Sequence, residues 1–140
     1  MSSPAASATH CTFREIYLET DSESFDLHNC FDFVGFSYDV PNRTVTLRWI
    51  PNQYASTAQR HPLVVEMRGV SHLSSSARDP DLPFSEDACL NSVGLIPPSA
   101  PILDSVQDNA PPGWHHVFTF MSGLMLRIGA ESVCLLPNDI

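Results

Sequence analysis

The sequence predicts a mainly β protein, an antiparallel sandwich or curved sheet of about six strands with one short helix; an α+β fold is the alternative. Aromatic and β-branched residues alternate with polar residues at period two in several stretches. The 12 prolines among 140 residues favour short strands and ordered loops over long helices. Short breaks rich in Pro, Asn and Gly separate the stretches, as in an antiparallel meander. The length suits one domain.

The chain begins with a Ser/Ala-rich segment that has neither a basic nor an apolar signal-peptide region. We therefore expect a disordered leader at residues 1–10 and a single β-rich domain at residues 11–140. Thr12 to Glu19 alternates as a first strand. The acidic stretch from Asp21 to Asp26 follows as a turn-like link.

The clearest pattern is a β-hairpin from Phe31 to Ile50. Two alternating runs flank Val40-Pro41-Asn42-Arg43, in which proline fixes φ and asparagine tolerates φ > 0. In the second arm one face is apolar and the other polar, which predicts one buried and one wetter face of the sheet. The apolar set is Val45, Leu47 and Trp49.

The middle of the chain predicts a long strand, a polar loop and a short helix. Leu63 to Leu73 alternates throughout, with a bulge expected at Gly69. Ser74 to Pro83 is polar and acidic. Ser85 to Leu90 resembles a helix start, because Ser85 can cap and two acids follow in the first turn; the helix should end by Gly94.

The carboxyl-terminal part predicts a three-stranded meander. Its strands run from His115 to Met121, from Leu124 to Ile128 and from Glu131 to Leu136, joined by tight turns at Ser122-Gly123 and Gly129-Ala130. The aromatic residues in these strands and in the hairpin are expected in one core. They are Phe31, Phe33, Phe118 and Phe120.

Composition excludes several classes of function. All seven basic residues are arginine, so a Schiff-base lysine and a phosphate-loop lysine are ruled out. The net charge of −9 disfavours nucleic acid and anionic membranes and favours a basic partner. No apolar run approaches the ~20 residues needed to cross a bilayer. The four cysteines form no CxxC pair, and reduced thiols in the cytoplasm are expected.

Neither a metal site nor a cofactor site is predicted. His28 and Cys30 could share one strand face, and His10-Cys11 and His115-His116 could complete a tetrahedral set. These pairs are dispersed, whereas structural zinc sites present two close ligand pairs. Cys89 and Cys134 have apolar neighbours and are predicted as small core residues.

Two candidate functional sites follow from the loops and the histidines. One is a partner-binding loop with acids around an apolar anchor, in which charge steers encounter and the aromatic side chain supplies burial. The other is a pocket for a small ligand or for hydrolysis. The loop residues are Asp79, Asp81, Phe84, Glu86 and Asp87; the pocket residues are His72, Trp114, His115 and His116.

The hydrolytic interpretation would use His72 as base, a serine from Ser74 to Ser76 as nucleophile and Asp79 as the orienting acid. All lie in one stretch, and no Gly-x-Ser-x-Gly motif mounts the nucleophile, so a solvated loop is preferred. A further set, Arg48, Arg68 and Arg127, falls opposite the apolar positions of the predicted strands. Glu66 and the threonines suggest that these arginines solvate a wet sheet face.

The layout of Phe33 to Trp49, Val64 to Leu73 and Phe118 to Ile128 resembles small bacterial proteins of unassigned function, including some that resemble immunity proteins of polymorphic toxin systems. The resemblance implies a non-enzymatic inhibitor that binds a cognate toxin, often through an acidic surface. We therefore expect a cytoplasmic binding protein with a protein partner. Open sheet edges also favour a homodimer.

Overall fold

A computed structural model describes residues 7–101, 107 and 110–138 of the chain. The described residues form twelve strands and two short 3-10 helices, Thr57–Gln59 and Phe84–Ala88. In chain order the strands are β1 (Thr9–His10), β2 (Thr12–Arg14), β3 (Tyr17–Glu19), β4 (Ser24–Asp26), β5 (Phe31–Asp39), β6 (Thr44–Pro51), β7 (Leu63–Arg68), β8 (His72–Ser76), β9 (Leu90–Ile96), β10 (His115–Phe120), β11 (Met125–Gly129) and β12 (Ser132–Leu135).

The strands form three antiparallel sheets. The first sheet has the order β1-β12-β7-β6-β5, the second β8-β11-β10-β9 and the third β2-β3-β4. The predicted mainly β, antiparallel fold is confirmed. The predicted number of about six strands is too low. Two predicted strands each split in two, and further strands form in the predicted leader, acidic link and helix.

The hairpin is confirmed as β5 and β6. The apolar face of its second arm is fully buried: Val45, Leu47 and Trp49 are each 0% exposed. The turn differs in detail, since positive φ occurs at Arg43 (φ 49°) and not at Asn42. The Asn42 side chain instead donates to Asp39, and the Arg43 guanidinium donates to the carbonyl of Val70.

The first predicted strand is wrong, because Glu15 interrupts it with φ 57°. The chain folds back there, so that β2 and β3 pair with each other. Glu15 also forms a bridge to Val93 of β9, which ties the third sheet to the second. Thr9 and His10, placed in the leader by the sequence, form β1 against β12; residues 1–6 lie outside the described residues.

The long strand from Leu63 to Leu73 is also wrong. Gly69, with φ +69°, breaks it into β7 of the first sheet and β8 of the second. This crossing makes Ser74 to Ser76 part of a strand instead of a loop. Leu63, Val65 and Met67 are buried as predicted.

The predicted helix from Ser85 is replaced by the 3-10 helix and by β9. Leu90, Val93 and Ile96 are buried in β9, which pairs with β10, so burial at strand spacing overrides the helix-start signal. The carboxyl-terminal meander holds for β10 and β11 only. Strand β12 leaves them and pairs with β7 and β1.

The core lies between the first and second sheets, with the third sheet packed against one end. Phe33 and Phe120 join the two main sheets, with ring centroids 4.8 Å apart. Phe13 of the third sheet lies 5.0 Å from Phe118 and 6.1 Å from Trp49. The four core phenylalanines predicted from the sequence are all buried. The third sheet closes the end near Phe13, whereas β5 is exposed from Phe36 onward.

Candidate functional site

The open side of the sandwich exposes aromatic side chains of β5. Phe36 and Tyr38 pair with Leu47 and Val45 and therefore face the same side of the sheet as these buried residues. They are nevertheless 41% and 39% exposed, because the second sheet covers β5 at Phe33 but leaves its later part open. Phe36 and Tyr38 therefore form an apolar ledge along this edge, on the inner face of the sheet.

A groove of about 420 Å³ lies between this ledge and the loop that carries the 3-10 helix Phe84–Ala88. Phe84 stands at its border and is 81% exposed, more than any other large apolar side chain that the structure describes. Solvent exposure of that much aromatic surface is unfavourable unless a partner covers it. The lining residues are Phe33, Val34, Gly35, Phe36, Phe84, Asp87, Ala88 and Leu124.

Arg78 holds the loop and orients Phe84. Its guanidinium lies 4.7 Å from the centroid of the Phe84 ring. It also donates to Asp87 at 2.8 Å and to the carbonyls of Leu82 and Pro83. One arginine thus fixes both ends of the loop, and the ring is presented to solvent in a defined position.

The acids of the predicted partner-binding loop have different tasks. Asp87 accepts hydrogen bonds from Ser122 and Arg78, which lower its pKa and keep it ionised. Asp79 accepts from the backbone N–H of Asp81 and thereby shapes the turn. Burial, and then the negative charges of Glu86 and Asp32, raise the pKa of the Cys89 thiol, so both carboxylates lie near the residue that follows Ala88 of the groove lining.

The four residues of the predicted histidine pocket divide between two faces of the second sheet. His115 and His116 are neighbours on β10 and point to opposite sides. His72 and His115 stack on the outer face with centroids 4.8 Å apart. His116 packs between Phe13 and Phe118 and, with Trp114, lines a groove at the other side. The four residues therefore do not form one pocket.

Arg127 completes the cluster on the outer face, and its role was missed from the sequence. It is 8% exposed. Its Nε donates to His115 Nδ1 at 2.9 Å, while the two terminal nitrogens donate to the carbonyls of Pro97, Pro98 and Ala100. Burial and the adjacent guanidinium lower the pKa of His115, which stays the neutral acceptor. Arg127 thus fastens a proline-rich segment onto the sheet.

Two of the three arginines predicted to share a wet face, Arg48 and Arg68, do so, and Arg127 does not. Arg68 pairs with Glu66 on β7 and Arg48 donates to Ser37, both at the surface of the first sheet. Arg127 lies in the second sheet and is buried. Leu126 and Ile128 point to the opposite face of β11, so their apolar character gave no signal that the Arg127 face is covered as well.

Gly129 is the residue that permits the histidine stack, and replacing it should destabilise the protein. A Cβ there would lie 2.6 Å from Cδ2 and Nε2 of His115 and 2.9 Å from Ser71 Oγ. We expect Gly129→Ala to lower the free energy of unfolding by about 1 to 3 kcal/mol, measured by urea denaturation. The loss should shrink when His115→Ala is also introduced. If the stability losses of Gly129→Ala and His115→Ala simply add in the double variant, the role of Gly129 in making room for the His115 ring is contradicted.

The hydrolytic set is only partly assembled. His72 Nε2 and Ser74 Oγ lie 2.9 Å apart on β8, which is hydrogen-bond distance for a base and a nucleophile. Asp79 lies beyond the opposite end of β8, where its N–H donates to Ser122. Of the hydrogen bonds in the described part of the chain, none joins His72 to a carboxylate. The orienting acid of a triad is therefore not supplied by Asp79.

The dispersed metal candidates also remain apart. His28 Nδ1 lies 2.6 Å from the carbonyl oxygen of Leu90 and 3.5 Å from Cys89 Sγ, while Cys30 contacts the carbonyl of Tyr54. Within residues 7–101, 107 and 110–138, no three His, Cys, Asp or Glu side chains are grouped to hold a metal ion. The four thiols are free. Cys11 lies in the core, whereas Cys89 and Cys134, predicted there, are half-buried.

Comparisons with protein-family models, with curated proteins and with solved structures found no match for this chain. Among the residues that the structure describes, no helix is both long enough and apolar enough to span a bilayer. Function is therefore inferred from the geometry of the candidate sites.

Proposed function

We propose that this chain is a binding protein whose contact surface is the groove beside Phe84. One observation carries the proposal: an aromatic ring that is 81% exposed is held in place by Arg78 at the border of an apolar groove. Fixing the ring in advance removes part of the entropy that binding would otherwise cost. An apolar side chain of a protein partner is the occupant that such a groove fits.

The charge around the groove supports a basic partner. Asp87 lines the groove, Glu86 and Asp32 are the neighbours in sequence of lining residues, and the chain carries a net charge of −9. A partner with arginine or lysine beside its apolar anchor would be steered to this surface, and salt would weaken the association. That the partner is a toxin, which would make the chain an immunity-type inhibitor, stays a prediction of the sequence resemblance.

The test compares Phe84→Ala with a matched aromatic variant. Tyr54 is 71% exposed and does not line the groove, so Tyr54→Ala is the control. The immobilised full chain captures proteins from a lysate of the source cells, and the dissociation constant of each captured protein is then measured. We expect Phe84→Ala to weaken the partner by about 30-fold or more and Tyr54→Ala to leave it unchanged.

Salt and a charge variant complete the test. Glu86→Gln should weaken the same partner at low ionic strength and have less effect at high ionic strength, because the charge that it removes is screened. Asp87 is left unchanged, since it holds Arg78 and the loop. A partner that binds Phe84→Ala as tightly as wild type would refute the groove as the contact surface.

A further inference from the structure

From the geometry of β5 we infer that the occupant of the groove is an extended segment of the partner, which adds to the first sheet as a strand beside β5. The inference rests on the proposed function, and it specifies the conformation and the side-chain pattern of the bound segment.

The free side of β5 is available for pairing. This strand is the last of the first sheet, and none of the described residues pairs with its outer side. Every residue from Phe36 to Val40 is exposed. In an antiparallel pair, alternate residues of an edge strand direct their N–H and C=O groups away from the neighbour, so this stretch offers unpaired backbone groups to a new strand.

The other sheet edges are shorter, covered or polar. The outer side of β9 is bridged by Glu15 and by Gln107. At the far edge of the first sheet, β1 is two residues long. Strand β8 is polar, with three consecutive serines. Among these edges, β5 alone combines length with exposed apolar side chains, which is the type of edge that natural proteins usually protect.

Side-chain alternation predicts what the added strand contains. Residues on one face would lie beside Phe36 and Tyr38 and opposite Phe84, so they should be apolar or aromatic. On the other face, the residue beside Asp39 should be basic, whereas the residue beside Ser37 should be polar and uncharged, because Arg48 already places a cation there. The pairing shift between Phe33 and Gly35 ends the regular edge, which limits the added strand to about five paired residues.

A basic partner fits this edge better than a second copy of the chain. Two copies, each with a charge of −9, repel each other. A copy also brings few free cations, because every arginine already donates a hydrogen bond within its own chain. These arginines are Arg14, Arg43, Arg48, Arg60, Arg68, Arg78 and Arg127.

The experiment selects peptides of about seven residues from a random library displayed on phage, with the full chain as bait. Enriched peptides should alternate apolar and polar residues, with a basic residue among the polar positions, and should bind Tyr54→Ala but not Phe84→Ala. Each enriched peptide is then synthesised with one backbone nitrogen methylated at a time. We expect methylation at alternate positions to weaken binding by about tenfold, because it removes a hydrogen bond to β5, and the positions between to be tolerated.

Hydrogen exchange supplies a second measurement on the protein itself. Amides from Phe36 to Val40 that point away from β6 should exchange more slowly when the peptide is bound. If the enriched peptides need Phe84 but tolerate backbone methylation at every position, they do not pair with β5 as a strand, and strand addition is overturned. The groove would then still be the contact surface. Failure to enrich any peptide that distinguishes Phe84→Ala from Tyr54→Ala would refute both proposals.

The oligomeric state separates a partner from a second copy. Sedimentation of the wild-type chain at high micromolar concentration should show a monomer. A dimer that dissociates on Phe36→Asp would show that a second copy occupies this edge, and it would overturn the assignment to a basic partner.

Discussion

Replacement of Arg127 by methionine is expected to lower the free energy of unfolding by about 3 kcal/mol. The substitution keeps much of the apolar stem but removes a guanidinium that donates to His115 Nδ1 and to the carbonyls of Pro97, Pro98 and Ala100. Each acceptor left without a partner costs about 1 to 3 kcal/mol when buried. Two effects reduce this cost. The variant no longer buries a cation, and water can hydrate the carbonyl of the half-buried Ala100.

Urea denaturation of Arg127→Met, with Arg48→Met as the matched control, tests this expectation. Arg48 is exposed and its side chain donates to Ser37, so its loss should change stability by less than about 0.5 kcal/mol. A second measurement follows His115 by NMR. Its pKa should rise in Arg127→Met, because the adjacent positive charge is gone. Equal stabilities of the two variants, or an unchanged His115 pKa, would contradict the role given to Arg127.

Acid is expected to destabilise the protein through His116, and His116→Phe should remove much of the effect. The ring lies among aromatic residues, and within the described part of the chain its Nδ1 has no hydrogen-bond partner. Burial lowers the pKa of His116 from 6.5 to about 4. Between these pH values the unfolded chain binds a proton that the folded protein does not. Stability is therefore full above pH 6.5 and falls as the pH falls toward 4.

The expected loss attributable to His116 is about 2.5 kcal/mol between pH ~7.5 and pH ~4.5. It is measured as the difference between wild type and His116→Phe in urea denaturation at the two pH values, because the subtraction cancels the carboxylates. His10 is exposed, and His10→Gln should retain the full wild-type dependence. If His116→Phe lost as much stability as wild type over this range, another group would have to account for acid sensitivity.

Local patterns in the sequence predicted those elements whose neighbours are close in the chain. The β5–β6 hairpin has its two arms and its turn within one continuous stretch, so period-two alternation and turn chemistry were sufficient. The same reasoning located β10 and β11. The exposure of Phe84 also agreed with its position among acids and prolines.

Breaks between elements escaped prediction because they depend on distant partners. Glu15 adopts a positive φ although glycine would be favoured there, and its bridge to Val93 is a long-range contact. Gly69 was recognised as irregular, but the transfer of the chain from one sheet to the other has no local signature. The acids at Glu86 and Asp87 suggested a helix, whereas burial of Leu90 required a strand directly afterwards.

The candidate site was only partly visible for the same reason. The loop from Asp79 to Asp87 could be found from its own residues. The ledge on β5 could not, because strict alternation from Phe33 would put Phe36 on the opposite face of the sheet. The pairing shift between Phe33 and Gly35 brings Phe36 to the inner face, and only the sheet order reveals that β5 is an edge. Arg127 and His115 are 12 positions apart and meet through strand pairing, which spacing alone does not indicate.

The pairing of β1 with β12 has a kinetic consequence. Thr9 lies opposite Leu135, so the first sheet is complete only when segments from distant parts of the chain have met. The β5–β6 hairpin can form within microseconds, but closing so large a loop costs entropy before the contact repays it. We therefore expect folding on the millisecond to second timescale, with the β5 edge exposed from its earliest steps. During synthesis and folding, the same edge that is proposed to receive the partner is the one most prone to aggregation.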